Sequence, residues 1–141
     1  MIKYSGACFC GAVRFEVSAE PIAQAICHCT MCRSWSASPF NGAALFPRGS
    51  VAVTEGKELV SSYAKTEGHD RQWCSRCGGH LFSDHVPYGI IDVFASILQG
   101  FIFTPTFHVN YIETILPMKD GLPKYKDFPK NHGGTGELVS E

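Results

Sequence analysis

The sequence predicts a mainly β protein, built of antiparallel sheets. Three observations carry that expectation. Apolar and β-branched residues alternate in short runs, turn signals rich in Gly and Pro separate those runs, and no segment sustains a long helical period. The strand-like runs in order are "AVRFEV" (12–17), "GAALF" (42–46), "VAVT" (51–54), "ELVSSYA" (58–64), "IIDVFAS" (90–96) and "TFHVNYI" (106–112). Between them lie "EPIA", "FPRGS", "TEGHD", "VPYG" and "LQGF", each able to turn the chain. Only "TMCRSWSA" (30–37) has room for a short helix.

A chain of 141 residues with 45% hydrophobic and 18% charged residues suits one folded domain, expected over 1–129. The last dozen residues, "KNHGGTGELVSE" (130–141), lack the apolar content to fold alone, so they are expected to be mobile or docked on the surface. The N-terminus has neither the basic stretch nor the apolar run of a signal peptide, and no segment reaches the roughly 18 apolar residues of a membrane span. A cytoplasmic location is the expectation. The formal net charge of -1, with no run of Lys or Arg, offers no attraction to a phosphate backbone or an anionic membrane.

All seven cysteines fall in three clusters: Cys8 and Cys10 in "CFC", Cys27, Cys29 and Cys32 in "CHCTMC", and Cys74 and Cys77 in "CSRC". In a reducing compartment an odd number of clustered thiols points to metal ligation rather than to a disulfide framework. "CFCG" and "CSRCGG" continue into glycine, which lets backbone N–H groups approach the sulfurs as in a zinc knuckle. Closed zinc sites use four ligands, whereas catalytic sites keep three and leave a position open. The knuckles would supply four thiols and the triplet three. Spacing alone leaves other pairings open, such as "CFC" with "CHC". A histidine (His28, His69, His80, His85 or His108) could complete the triplet, and a redox cluster is a further alternative.

Taken together, "GACFCGAVRFEV", "CHCTMCR" and "CSRCGGHLF" resemble the family of glutathione-dependent formaldehyde-activating enzymes, which has the Mss4-like, or β-tent, fold. "FHVNYIETILPMKDGLPKY" is similar to that family's C-terminal segment. The resemblance implies a structural zinc on Cys8, Cys10, Cys74 and Cys77 and a catalytic zinc on Cys27, Cys29 and Cys32. It also implies carbon–sulfur lyase chemistry, in which a small thiol such as glutathione adds to a small carbonyl such as formaldehyde. The chain departs from the family at Ala37, where relatives often carry glycine, and the N-terminal extension of longer relatives, with any contacts it makes, is expected to be missing.

Arg33, directly after the triplet, could hold a substrate carboxylate or form a surface ion pair. His28 is the nearest proton donor by sequence, but the middle residue of a C-x-C pair tends to point away from the shared metal, which favours a supporting role. His108 is a looser candidate. Trp35, Phe40, Trp73 and Phe82 flank the clusters and suit the core better than a pocket wall. The competing function is a non-catalytic zinc-binding module, which a fourth protein ligand at the triplet would favour.

Overall fold

The computed structural model describes residues Met1–Glu141. The chain forms eleven strands and one α-helix: β1 (Tyr4–Ala7), β2 (Arg14–Val17), β3 (Ala23–Cys27), α1 (Thr30–Ser36), β4 (Asn41–Pro47), β5 (Val51–Glu55), β6 (Val60–Thr66), β7 (His69–Cys74), β8 (His80–His85), β9 (Ile90–Phe94), β10 (Leu98–Gln99) and β11 (Phe107–Val109). Short 3-10 turns link several of them. The protein is mainly β, as its alternation predicts. No helix is long and apolar enough to cross a membrane.

Two compact units divide the chain, one comprising Met1–Ala23 with Ala44–Phe103 and the other Gln24–Ala43 with Thr104–Glu141. In the first unit, one sheet has the order β10-β1-β2-β5, and β4 leads a second run of neighbours, β4-β9-β8-β7-β6. The β1–β2, β2–β5, β6–β7, β7–β8 and β8–β9 pairs are antiparallel. Alternation works as expected on β2, whose Phe15 and Val17 are buried while Arg14 is exposed. Phe15 meets Phe82 of β8 edge to face at 4.9 Å. Around them a core gathers Val13, Phe46, Leu81, Val93 and Leu98, together with Cys8 and Cys74. Gly6 on β1 is required by this packing, since a Cβ there would lie 2.2 Å from Phe15 Cζ.

Strands β7 and β8 have no counterpart among the expected runs. On β8, Leu81, Phe82, Ser83 and Asp84 are buried in succession, so both faces are covered and the alternation that marks a half-buried strand disappears. Asp84 is accommodated by Arg48, whose Nε and Nη2 donate to its two oxygens at 2.6 and 3.1 Å.

The second unit is organised around a parallel pair. β11 runs beside β3 with Phe107, His108 and Val109 opposite Ala25, Ile26 and Cys27. Antiparallel pairing, the general expectation, gives way here because the long chain between the two strands lets it return in the same direction. One further segment braces β11, and a second braces that segment in turn. His108 N donates to Pro123 O at 2.9 Å, and Tyr125 N donates to His108 O at 3.0 Å. Tyr125 in turn pairs antiparallel with Leu138, and Lys126 N donates to Glu137 O at 2.8 Å.

Candidate functional site

The four knuckle sulfurs come from two tight turns in the first unit. Cys8 follows β1, and the turn after it closes through Gly11 N to Cys8 O and Cys8 N to Val13 O, both 3.0 Å. Cys74 ends β7, where Gly78 N donates to Cys74 O at 2.8 Å and Cys74 N to Gly79 O at 2.9 Å. The Sγ atoms of Cys8, Cys10, Cys74 and Cys77 all lie within 4.8 Å of one another. Backbone N–H groups point at them: Val13 N at 3.3 Å from Cys8 Sγ, and Cys10 N and Gly79 N at 3.4 and 3.3 Å from Cys77 Sγ. Gly79 allows this approach, because a Cβ there would come within 2.9 Å of Phe9 N. Burial pushes the Cys77 thiol up, yet the N–H groups of Gly79 and Cys10 bring it down to about 6. Thiolates collected in this way suit a soft cation. A tetrahedron with metal–sulfur bonds of about 2.3 Å has edges of about 3.8 Å; Cys8–Cys10 and Cys10–Cys74 measure 3.6 and 4.0 Å.

The triplet belongs wholly to the second unit. Cys27 closes β3, Cys29 is the N-cap of α1, and Cys32 lies one turn on, with its N–H donating to Cys29 Sγ at 3.2 Å. A sulfur thus replaces the usual capping oxygen. The three Sγ atoms lie within 4.8 Å of one another, and no histidine or carboxylate joins either cluster. Cys27 and Cys32 are 3.6 Å apart. Hydrogen bonding to Cys29 pushes the Cys27 thiol up to about 12, and Cys27 and Cys29 together push Cys32 higher still. Like charges so close cannot ionise together without a cation, so this donor set also fits a thiophilic metal.

Behind the triplet lies a buried polar chain. His28 has no exposed surface; its Nε2 is 2.8 Å from His108 Nδ1, and its Nδ1 is 2.9 Å from Thr114 Oγ1. Both ring nitrogens are occupied, and burial, helped by His108 and Arg33, lowers its pKa to about 4. His28 therefore supports the turn and presents no nitrogen to a substrate. His108 is equally buried and continues from Nε2 to Asp120 Oδ2 at 2.7 Å. Asp120 Oδ1 accepts from Lys124 Nζ, which also donates to Leu122 O at 3.0 Å and Glu141 Oε1 at 2.7 Å. Tyr111 packs edge-on against both imidazoles, with centroids at 4.8 and 5.5 Å.

Arg33 forms no ion pair with an acidic side chain here. Its Nε donates to His28 O and its Nη2 to Thr30 Oγ1, both at 3.2 Å. Glu113 Oε1 accepts from Thr30 N and Thr30 Oγ1 at 3.1 and 2.9 Å. Asn110 Nδ2 donates to Cys27 Sγ at 3.6 Å, from a left-handed backbone with φ 51° that asparagine tolerates. Asn110, Glu113, Thr114, Asp120 and Lys124 are absent from the sequence-level candidates, although "DGLPK" hinted at a turn beyond His108. Phe82 is core, at 1% exposure, and Trp35, Phe40 and Trp73 are half-buried. A separate cavity of about 460 Å³ in the first unit, lined by Arg48, Lys57, Gln72, Phe82, Asp84 and Ile91 among others, includes no cysteine.

The profile of the family described as glutathione-dependent formaldehyde-activating enzyme matches residues 3–109. An uncharacterized lyase of Schizosaccharomyces pombe is 33% identical over 82 residues, covering 58% of each chain. The chain thus spans little more than half the length of that relative. A Halomonas elongata protein with the provisional name glutathione-dependent formaldehyde-activating enzyme is 35% identical over 113 residues, covering 74% of this chain and 71% of its own. A crystal structure of a Rhodobacter sphaeroides protein superposes with a TM-score of 0.58 at 24% identity, over 70% of this chain and 90% of that one, a likeness of fold.

Proposed function

Because the chain belongs to the family of glutathione-dependent formaldehyde-activating enzymes, we propose that it is a zinc-dependent carbon–sulfur lyase that forms or cleaves the adduct of a small thiol with a small carbonyl. In this reading Cys8, Cys10, Cys74 and Cys77 hold a structural zinc, and Cys27, Cys29 and Cys32 hold a second one. Bound there, zinc would supply affinity for a soft thiol and favour its thiolate at neutral pH. The observation that carries the proposal is the triplet itself, three convergent sulfurs with no fourth protein ligand.

In the forward direction the thiol sulfur bonds to the carbonyl carbon, the C=O π pair moves to oxygen, and the thiol proton ends on that oxygen. With glutathione and formaldehyde the product is S-hydroxymethylglutathione, and the reverse reaction breaks the same C–S bond. Arg33 uses two of its five N–H donors on His28 O and Thr30 Oγ1, which fixes the guanidinium beside the triplet. Its remaining donors would hold a substrate carboxylate, of which glutathione has two. The family's β-tent architecture and a cytoplasmic location complete the reading, and seven free thiols accord with a reducing compartment.

The test is exchange NMR with ¹³C-formaldehyde and glutathione in the presence of zinc-loaded protein. Faster interconversion of formaldehyde and S-hydroxymethylglutathione is expected, with loss of that acceleration in Cys29→Ser. If neither glutathione nor other small thiols show it, the lyase reading fails and a non-catalytic zinc module replaces it.

A further inference from the structure

We infer that His108 and Asp120 are positioning residues that fix the cysteine triplet in place before metal arrives, through the buried ring of His28. The inference rests on the reading of the triplet as a metal site. His28 is the residue between Cys27 and Cys29, so whatever immobilises its ring immobilises the peptide that carries both thiols. The ring is held at each nitrogen and the backbone N–H of His28 donates to Val109 O at 3.1 Å, so side chain and backbone are tied to the same strand region.

Hydrogen-bond directions follow from the far end of the chain. Asp120 is paired with Lys124, and an ionised carboxylate only accepts, so His108 carries its proton on Nε2. The Nδ1 of His108, bare when the ring carries only its Nε2 proton, then accepts from His28 Nε2–H. His28 in turn keeps a bare Nδ1, and the single Thr114 hydroxyl proton, which has His28 Nδ1 at 2.9 Å and Leu116 O at 3.1 Å as acceptors, goes to the ring. Every donor in the series points towards Asp120, and the tautomer of His28 is set by a carboxylate that touches neither it nor a cysteine. Lys124, only 2% exposed, spends its donors on Asp120, Leu122 O and Glu141, which holds the carboxylate in turn. Asn110 adds a direct contact from the same segment to Cys27 Sγ. Three thiols that must converge on one ion are thereby preset in spacing, which lowers the ordering cost of binding.

The experiment combines cobalt titration with ¹⁵N NMR of the histidine rings. Wild type should take up two cobalt ions, and zinc-loaded wild type should show His28 as a single Nε2–H tautomer. Asp120→Asn should weaken the second cobalt about tenfold, change its sulfur-to-cobalt charge-transfer bands and mix the His28 tautomers, while the first cobalt is unaffected. Asp120→Glu, which restores the charge, should recover most of the affinity. Unchanged second-cobalt affinity and bands in a folded Asp120→Asn, or an Nδ1–H tautomer of His28 in wild type, overturns the inference. Should Asp120→Asn fail to fold, the wild-type tautomer decides. Uptake of a single cobalt by wild type defeats the metal reading of the triplet instead, and the tautomer still decides the positioning role.

Discussion

Ala37→Gly should stabilise the protein. Ala37 ends α1 with φ 53° and ψ 36°, the left-handed conformation that a helix C-terminus favours and an alanine resists. For an L-residue with a Cβ that conformation costs about 1–2 kcal/mol. Glycine removes the cost but gives the unfolded chain about 0.4–1 kcal/mol of extra entropy, so the net gain is about 0.5–1 kcal/mol. Little else changes, because Ala37 is exposed and the last turn keeps its bond from Ser36 Oγ to Cys32 O at 2.7 Å. For a chain of this size the gain corresponds to a rise of about 1–4 °C in melting temperature. Urea unfolding of zinc-loaded protein, followed by far-UV circular dichroism, measures it, and cobalt uptake by the triplet should be unchanged. An Ala37→Gly protein equal to or less stable than wild type would refute the reasoning, since it would mean that the backbone at this cap relaxes out of the left-handed region.

Cys74→Ser should unfold more readily than Cys29→Ser. Cys74 is fully buried in the apolar core, so its replacement would remove a ligand of the proposed structural zinc and leave a buried hydroxyl costing about 1–3 kcal/mol. Cys29 is partly exposed and clasps only a short local segment; equal losses in thermal melts would count against the four-and-three division. Acid should erode the contribution of Asp120. Burial works against this carboxylate, but hydrogen bonds from Lys124, His108 and Leu122 N hold its pKa well below the usual range. As pH falls, the unfolded chain takes up this proton first, near pH 4, so the stabilisation is complete above about pH 4 and is lost progressively below it. The difference in urea midpoint between wild type and Asp120→Asn should hold steady from pH 8 to 5 and shrink below about pH 4; a difference constant down to pH 3 would contradict the assignment.

The mainly β class was legible because β2, β4 and β9 bury, and β5 half-buries, alternate or apolar positions that the residues announce directly. The helix at Thr30–Ser36 falls on "TMCRSWSA", the one stretch with room for a short helix. β7 and β8 were not legible, because "HDRQWC" and "HLFSDH" mix charged and imidazole side chains with apolar ones, and their burial depends on neighbours rather than on period. The convergence of the cysteines could be anticipated, since spacing of a few residues constrains where thiols can go. The residues that brace them could not. Asn110, Thr114 and Asp120 have no local feature that distinguishes them from ordinary loop polar residues; their significance comes from contacts such as Thr114 with His28, 86 positions away.

That separation has a temporal side. The ribosome adds about 5–20 residues per second, so the 83 positions between Cys27 and Asn110, and the 86 between His28 and Thr114, correspond to about 4–17 seconds of synthesis. Throughout that interval Cys27, Cys29 and Cys32 exist as three neighbouring soft thiols without their bracing partners. They are open then to oxidation, and to copper, which outcompetes zinc for such donors. With zinc at the triplet, as proposed, the fraction of correctly metallated protein would be decided partly during elongation, by the reducing power and zinc supply around the nascent chain. Slowing translation between the triplet and β11 should lower that fraction without changing a single residue of the finished protein.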